Sequence, residues 1–153
     1  MYQSTKTYNH EVGLSACFRQ WRAKSHCQYL HGYALAVKFV FETQTLDANG
    51  WVVDFGGLKE LKEWLVDQFD HKLLVAEDDP HLPHFKNLQD CGLAQLRVVP
   101  HTGCEAFARL IYAAAADWLI KKEGIRVRLV SVQVSEHGAN SAIYTPEVKW
   151  SRQ

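Results

Sequence analysis

Apolar and polar residues alternate along two early stretches of the chain. Tyr8, His10, Val12, Leu14, Ala16 and Phe18 share one face of residues 5–18, and His31, Tyr33, Leu35, Val37, Phe39 and Phe41 share one face of residues 31–42. A period of two marks a strand with one buried face, so both segments are expected as half-buried strands. The pattern then changes. After the turn signal Asp47-Ala48-Asn49-Gly50, Asp54 is placed to cap a helix in which Phe55, Leu58, Leu61, Leu65 and Phe69 keep helical spacing. Asp70 and His71 then fall at its C-terminal end. Residues 75–100 are broken by Asp78-Asp79-Pro80 and Leu82-Pro83, and are expected to hold a short element before a strand-like stretch at Leu96–Val99. A second helix is expected from the stripe Phe107, Leu110, Ile111, Ala114 and Trp118, ending at Gly124 after Lys121-Lys122. Residues 125–136 read as a third long strand and 140–145 as a short fourth. This order predicts an α+β fold, a four-stranded antiparallel sheet with two helices on one face. Four strands leave two open edges, and pairing them between copies of the chain is one way to remove the aggregation hazard.

Composition narrows the partners. With 153 residues, 47% of them hydrophobic, the chain is expected to be one domain, 1–153, that buries roughly two thirds of its unfolded surface. Lys and Arg total 17, as do Asp and Glu, and the pI is near 7.1, so no electrostatic case exists for a nucleic acid or an anionic membrane. Small molecules or protein subunits are the expected partners. The cysteines at 17, 27, 91 and 104 have no CxxC spacing and no secretory signal precedes them, which points to a reduced, cytoplasmic setting. No apolar run approaches the roughly 20 residues of a membrane helix.

Candidate chemistry gathers at His26-Cys27-Gln28-Tyr29-Leu30-His31-Gly32-Tyr33 and at Asp70-His71. A thiol is a weak base until a neighbouring imidazolium or metal activates it, and a His paired with Asp can supply that help or relay a proton. Cys27 also reads as a small packing residue with incidental histidines nearby. Glu136 continues the inward row Val130, Val132 and Val134, where a carboxylate is costly unless something meets it. Two parallel donors on a ligand would meet it, and so would an arginine such as Arg126 or Arg128. Thr102-Gly103-Cys104-Glu105 reads either as a capping box or as a site for Glu105 to bind substrate. Trp21 and Arg22 lie between the first strand and Cys27, where an arginine could meet a phosphate. His10, His81 and His84 read as surface residues.

Seven segments in order carry a resemblance that covers nearly the whole chain. They are Leu14-Ser15-Ala16-Cys17, Cys27 with His31-Gly32, Trp51-Val52-Val53-Asp54-Phe55 with Leu58-Lys59, Phe69-Asp70-His71, Glu105, Val132-Gln133-Val134-Ser135-Glu136, and Ile143-Tyr144. At these residues the chain resembles the 6-pyruvoyltetrahydropterin synthase family, which includes the 6-carboxytetrahydropterin synthases of 7-deazaguanine (queuosine) biosynthesis and has the T-fold. The resemblance implies a sheet closed across subunits into a barrel, hence a homo-oligomer expected to be a hexamer, with active sites at subunit interfaces. It implies Cys27, Asp70 and His71 as catalytic residues, with Asp70 holding His71 in its working tautomer. Glu136 becomes the pterin anchor and Glu105 a substrate-binding residue.

One part of the family pattern is missing. Zinc in the family is held by three histidines, and of those positions only His31 keeps its imidazole; Phe18 and Tyr33 fill the others. The three-histidine site cannot form, and zinc is expected at His31 only if a third donor such as His26 moves in. The family's Glu is commonly followed by Thr, whereas His137 stands here. The expected function is a pterin-processing lyase acting on 7,8-dihydroneopterin triphosphate or a close relative. The alternative is a paralogue that binds a pterin or purine without catalysis, or that performs metal-free aldolase-type cleavage.

Overall fold

The computed structural model describes residues 1–147, so the last six residues of the expected domain, 148–153, lie outside the described ones. Alternation over residues 5–18 does not yield a single strand. β1 (Tyr2–Tyr8) and β2 (Leu14–Phe18) are separated by a 3-10 turn at His10–Val12, which ends at Gly13 with φ of +77°. Both strands pair antiparallel with one edge of β3 (His31–Thr43), β2 along residues 31–35 and β1 along residues 37–43. The inward row survives the interruption because Tyr8, Leu14, Ala16 and Phe18 all stay buried.

On the other edge of β3 lies β6 (Arg128–His137), joined by a hairpin to β7 (Asn140–Tyr144). Val40 faces Ser131 and Phe41 faces Leu129, so Val130 is the extra residue of a bulge. Val130 therefore leaves the expected inward row, and Leu129 takes its place ahead of Val132 and Val134.

α1 (Lys59–Phe69) and α3 (Cys104–Glu123) cover one face of the sheet. Leu61, Leu65 and Phe69 of α1 and Phe107, Ala108, Ile111, Ala115 and Leu119 of α3 meet Phe18, Leu35, Phe39 and Val132 in the core. The α3 stripe is rotated from expectation, with Ala115 and Leu119 buried in place of Ala114 and Trp118. Asp54 caps a 3-10 turn, Phe55–Leu58, by accepting the Gly56 amide at 2.9 Å, and Phe55 is exposed there instead of packed.

The sheet extends further than the expected four strands. β4 (Lys72–Ala76) pairs parallel with β2 and with β5 (Leu96–Val99), and α2 (Leu82–Asp90) lies between them in sequence. Leu74 joins the main core, while Leu73 and Val75 pack with Phe85 and Leu96 in a second cluster. A strand buried on both faces loses its alternation, which is why this run does not announce itself. Among the described residues the result is a mixed α+β sheet of seven strands, ordered β5-β4-β2-β3-β6-β7 with β1 also on β3, and with three α-helices. No described helix is long and apolar enough to cross a membrane.

Candidate active site

A cavity of about 390 Å³ opens where β2 ends. Phe18, His31 and Tyr33 line it from the sheet, His26 and Cys27 from the loop between β2 and β3, Cys104 and Glu105 from the first turn of α3, and Glu136, His137 and Asn140 from the β6–β7 hairpin. The fold thus gathers Phe18, Cys27, His31, Tyr33, Glu105 and Glu136 from five separate stretches of sequence.

Glu136 reaches the cavity near the end of β6, where the strand leaves the core and Glu136 is the extra residue between Ser135, paired with Ser141, and His137, paired with Asn140. Its Oε1 accepts the Asn140 side-chain amide at 3.0 Å, and His137 Nε2 stands 3.8 Å away. The arginine pairing considered for Glu136 does not occur. Arg126 binds Glu123 at 2.7 Å, and Arg128 binds Glu42. Among the described residues no hydrogen-bond donor reaches Oε2 of Glu136. Glu136 therefore lines the cavity with one carboxylate oxygen that has no donor among the described residues.

Glu105 does not serve a capping box. The Thr102 hydroxyl donates to the Arg19 carbonyl at 2.6 Å, and the N-cap of α3 is Gly103, whose φ of +108° suits a residue without Cβ. Glu105 is left exposed at the cavity rim. Beside it the Cys104 thiol is pushed up to about 11, mainly by burial and then by the carboxylates of Glu136 and Glu105. Tyr33 is also shifted up, first by burial and then by Glu136, Cys27 and Cys104, so its phenol is a hydrogen-bond donor at neutral pH. Cys104 carries no sequence signal of a place in the site, because it sits on the apolar stripe of α3. The only signal of Asn140 is its place just after a Gly138-Ala139 turn.

Phe18, His31 and Tyr33 pack as an aromatic cluster. Their ring centroids lie 5.2 Å (Phe18–His31), 5.5 Å (His31–Tyr33) and 6.1 Å (Phe18–Tyr33) apart. Phe18 is buried and edge-on to Phe107, and the Nδ1 of His31 contacts the Tyr29 carbonyl at 2.7 Å. A phenyl ring has no donor and a protonated phenol is a poor one, so this set does not fit a zinc ion. Among the described residues no group of three His, Cys, Asp or Glu side chains is arranged to hold a metal, His26 included.

Cys27 sits half-buried in the 3-10 turn His26–Gln28, capped by Ser25. Asp70 and His71 are elsewhere. Asp70 Oδ1 accepts from His71 Nδ1 at 2.9 Å and from the Ser15 amide at 3.1 Å, which fixes the proton on Nδ1 and leaves Nε2 free. His71 holds a left-handed backbone, φ 55°, and its side chain is 83% exposed. It lines a second cavity with Asp67, Lys59, Lys62 and Lys72, and no residue lines both cavities. Ser15 is the second residue of β2 and Arg19 follows the strand, a span of about 13 Å at the usual strand rise of about 3.3 Å. The pair expected beside Cys27 is therefore formed, but at the opposite end of β2 from it.

Arg22, considered for a phosphate, is already engaged. It binds Asp78 at 2.8 Å and lies 4.2 Å above the Trp21 ring.

A family model described as 6-pyruvoyl tetrahydropterin synthase matches residues 7–147. The chain is 26% identical over 147 residues to the 6-carboxy-5,6,7,8-tetrahydropterin synthase of Aquifex aeolicus, covering 91% of this chain and 88% of that protein. It is 37% identical over 60 residues to the 6-carboxy-5,6,7,8-tetrahydropterin synthase of Rickettsia typhi, a match that spans 39% of this chain and only 44% of that relative. Among solved structures, an uncharacterized protein of Wolinella succinogenes superposes with a TM-score of 0.77 at 21% identity, covering 95% of this chain and 98% of the other. A catalytic-residue mutant of Plasmodium vivax 6-pyruvoyltetrahydropterin synthase superposes with a TM-score of 0.68 at 15% identity, covering 97% and 100%. These likenesses establish the T-fold.

Proposed function

The chain belongs to the 6-pyruvoyl tetrahydropterin synthase family, and on that premise we propose that it is a pterin-processing lyase acting on 7,8-dihydroneopterin triphosphate or a close relative. The observation that carries this reading is the open Oε2 of Glu136 in the same cavity as Cys27. A pterin presents its 2-amino group and a ring N–H side by side, which is the donor pair a carboxylate accepts. Held there, the ring directs its side chain toward Cys27, whose thiolate, formed when a His71 imidazole takes the thiol proton, removes a proton from a side-chain carbon. Glu105 at the rim contributes a further acceptor.

The proton relay is completed by a second copy of the chain. His71 stands about one β2 length from Cys27 within a single chain, so the His71 that serves a given Cys27 comes from a neighbouring subunit. Exposed Tyr2, Trp51 and Phe55 line an apolar cavity of about 600 Å³ and supply surface for such contacts. A hexamer, as in the family resemblance, is the assembly we propose.

The chemistry is proposed to run without zinc, because the donor set at Phe18, His31 and Tyr33 does not fit it. The Tyr33 hydroxyl and the free imidazole nitrogen of His31 are the polar groups left at that wall. A second reading is favoured by the same aromatic cluster, namely that the chain binds a pterin or purine without turning it over.

Incubation of the purified protein with 7,8-dihydroneopterin triphosphate, with and without a chelator, tests both. Product in both samples, abolished by Cys27→Ala, is the expected result. Product that disappears with the chelator refutes the zinc-free step, and tight pterin binding without product selects the second reading.

A further inference from the structure

The turn that carries Cys27 closes on itself through the Gln28 amide to the Ser25 carbonyl (3.1 Å) and the Tyr29 amide to the His26 carbonyl (3.0 Å), and one arginine side chain ties it to the rest of the fold. Arg19, the first residue after β2, donates Nε and Nη2 to the two carboxylate oxygens of Asp79 at 2.8 Å each, and its Nη1 donates to the Gln28 carbonyl at 3.1 Å. Its own carbonyl accepts the Thr102 hydroxyl at 2.6 Å, just ahead of the first turn of α3. The next residue, Gln20, donates its amide to the Cys27 carbonyl at 2.9 Å. The carbonyls of Cys27 and of Gln28 are thus both held by the Arg19-Gln20 pair. By contrast, the local cap from Ser25 to the Cys27 amide is long, at 3.4 Å.

Asp79 is buried, and both of its carboxylate oxygens are engaged. Its side chain is 1% exposed, and its Oδ1 also accepts the His81 amide at 2.9 Å. A buried ion pair is weak evidence of stabilisation, since desolvation offsets the attraction, but a bidentate fork fixes orientation well. What the fork orients here is the third guanidinium donor, aimed at the carbonyl of Gln28, the residue after Cys27. Among the described residues no hydrogen bond of this network reaches β6 or Glu136, although Gln20 lines the same cavity.

We propose that Arg19 and Asp79 are positioning residues for the reaction, a buried clamp that fixes the Cys27 thiol over the pterin pocket through the Gln28 carbonyl. The proposal rests on Cys27 being the reacting thiol. The clamp acts on the placement of the thiol and leaves the Glu136 anchor alone.

The test compares wild type with Arg19→Lys, whose single ammonium reaches Asp79 but cannot also fork and hold Gln28. Iodoacetamide labelling is resolved peptide by peptide, with exposed Cys91 as the internal reference. Neopterin affinity, kcat, KM and the thermal midpoint are measured on the same samples. The expected result is a change of about fivefold or more in the Cys27 to Cys91 labelling ratio. It is accompanied by a fall of about tenfold or more in kcat, with KM and neopterin affinity within about twofold of wild type. A lowered thermal midpoint with the labelling ratio unchanged overturns the proposal, and so does a parallel loss of neopterin affinity. Should Arg19→Lys not fold, Asp79→Asn, which keeps the shape and one acceptor, is expected to change the Cys27 to Cys91 labelling ratio by about fivefold or more, and an unchanged ratio there overturns the proposal too. Loss of the lyase reading would appear separately, as wild-type protein that labels at Cys27 but yields no product.

Discussion

Replacing Phe18 and Tyr33 with histidine together is expected to create a zinc site. Three imidazoles on one tetrahedral zinc, at the usual Zn–N distance of about 2.0–2.1 Å, hold their ring centroids about 5 Å apart. The ring centroids at the three positions already form a triangle of 5.2, 5.5 and 6.1 Å. Phe18 and His31 are also register partners across β2 and β3, so the backbone holds two of the three positions side by side. The scaffold is therefore right and two of the three donors are absent. Phe18 is 2% exposed, and a polar ring there without metal costs on the order of 1–3 kcal/mol. In a chain of this size that lowers the thermal midpoint by roughly 2–4 °C per kcal/mol. Zinc at a hundred times its dissociation constant returns about 2.7 kcal/mol. The assay is metal content after dialysis, together with thermal midpoints with and without zinc. About one zinc per chain in Phe18→His/Tyr33→His, none in wild type, and a midpoint restored by zinc are expected. A folded double variant that takes up no zinc refutes the reasoning.

Glu136→Gln replaces an acceptor by an amide that presents a donor, and loss of a charge-assisted bond of about 1.5–3 kcal/mol should weaken neopterin binding roughly ten- to a hundredfold in a fluorescence titration; unchanged affinity would remove Glu136 as the anchor. Gly32→Ala puts a Cβ 2.7 Å from the Ala16 carbonyl oxygen of β2, so the strands must part between His31 and Tyr33. A thermal midpoint lowered in step with about 1–3 kcal/mol is expected, and an unchanged one would show that the close approach is not needed. The Glu42 carboxyl is held below the usual carboxylate range, first by its hydrogen bonds to Arg128 and also by Gln3. Because the folded value is depressed, its stabilisation is complete above the unfolded value and is lost as pH falls through the folded one. Urea midpoints from pH 7 to 3 should therefore fall less steeply for Glu42→Gln than for wild type, and parallel curves would refute this.

How much of this was legible in the sequence depended on whether a residue's environment lay along the chain or across it. β3 and the row Leu14, Ala16 and Phe18 showed themselves because one face is buried and the other is not. β4 did not, because Leu73, Leu74 and Val75 are buried on alternating sides and the run carries no period. Val130 was misplaced because a bulge opposite Val40 shifts the phase of β6, and no local signal marks it. The Thr102-Glu105 pattern resembled a capping box, yet the Thr102 hydroxyl had a partner 83 residues away at Arg19. Family resemblance supplied Cys27, Asp70, His71 and Glu136 as a set, but not that one chain places two of them apart from the other two. Arg19 and Asp79 have no sequence signal at all, since their partnership spans 60 positions.

That separation yields a prediction independent of metal and of the substrate's exact identity. If each site combines Cys27 of one subunit with His71 of its neighbour, Cys27→Ala and His71→Ala are each inactive alone but complement one another in mixed assemblies. When the two are unfolded together and refolded at equal amounts, a given Cys27 position is intact in about half the cases and the neighbouring His71 in about half. About a quarter of sites are then intact on both sides, so turnover near 25% of wild type is expected. Native mass spectrometry confirms that the oligomers contain both variants. A relay contained within one chain gives no recovery at all, because every chain then lacks one half of its own site. Mixed oligomers with no activity would therefore place Cys27 and His71 in one working unit, despite their positions at opposite ends of β2.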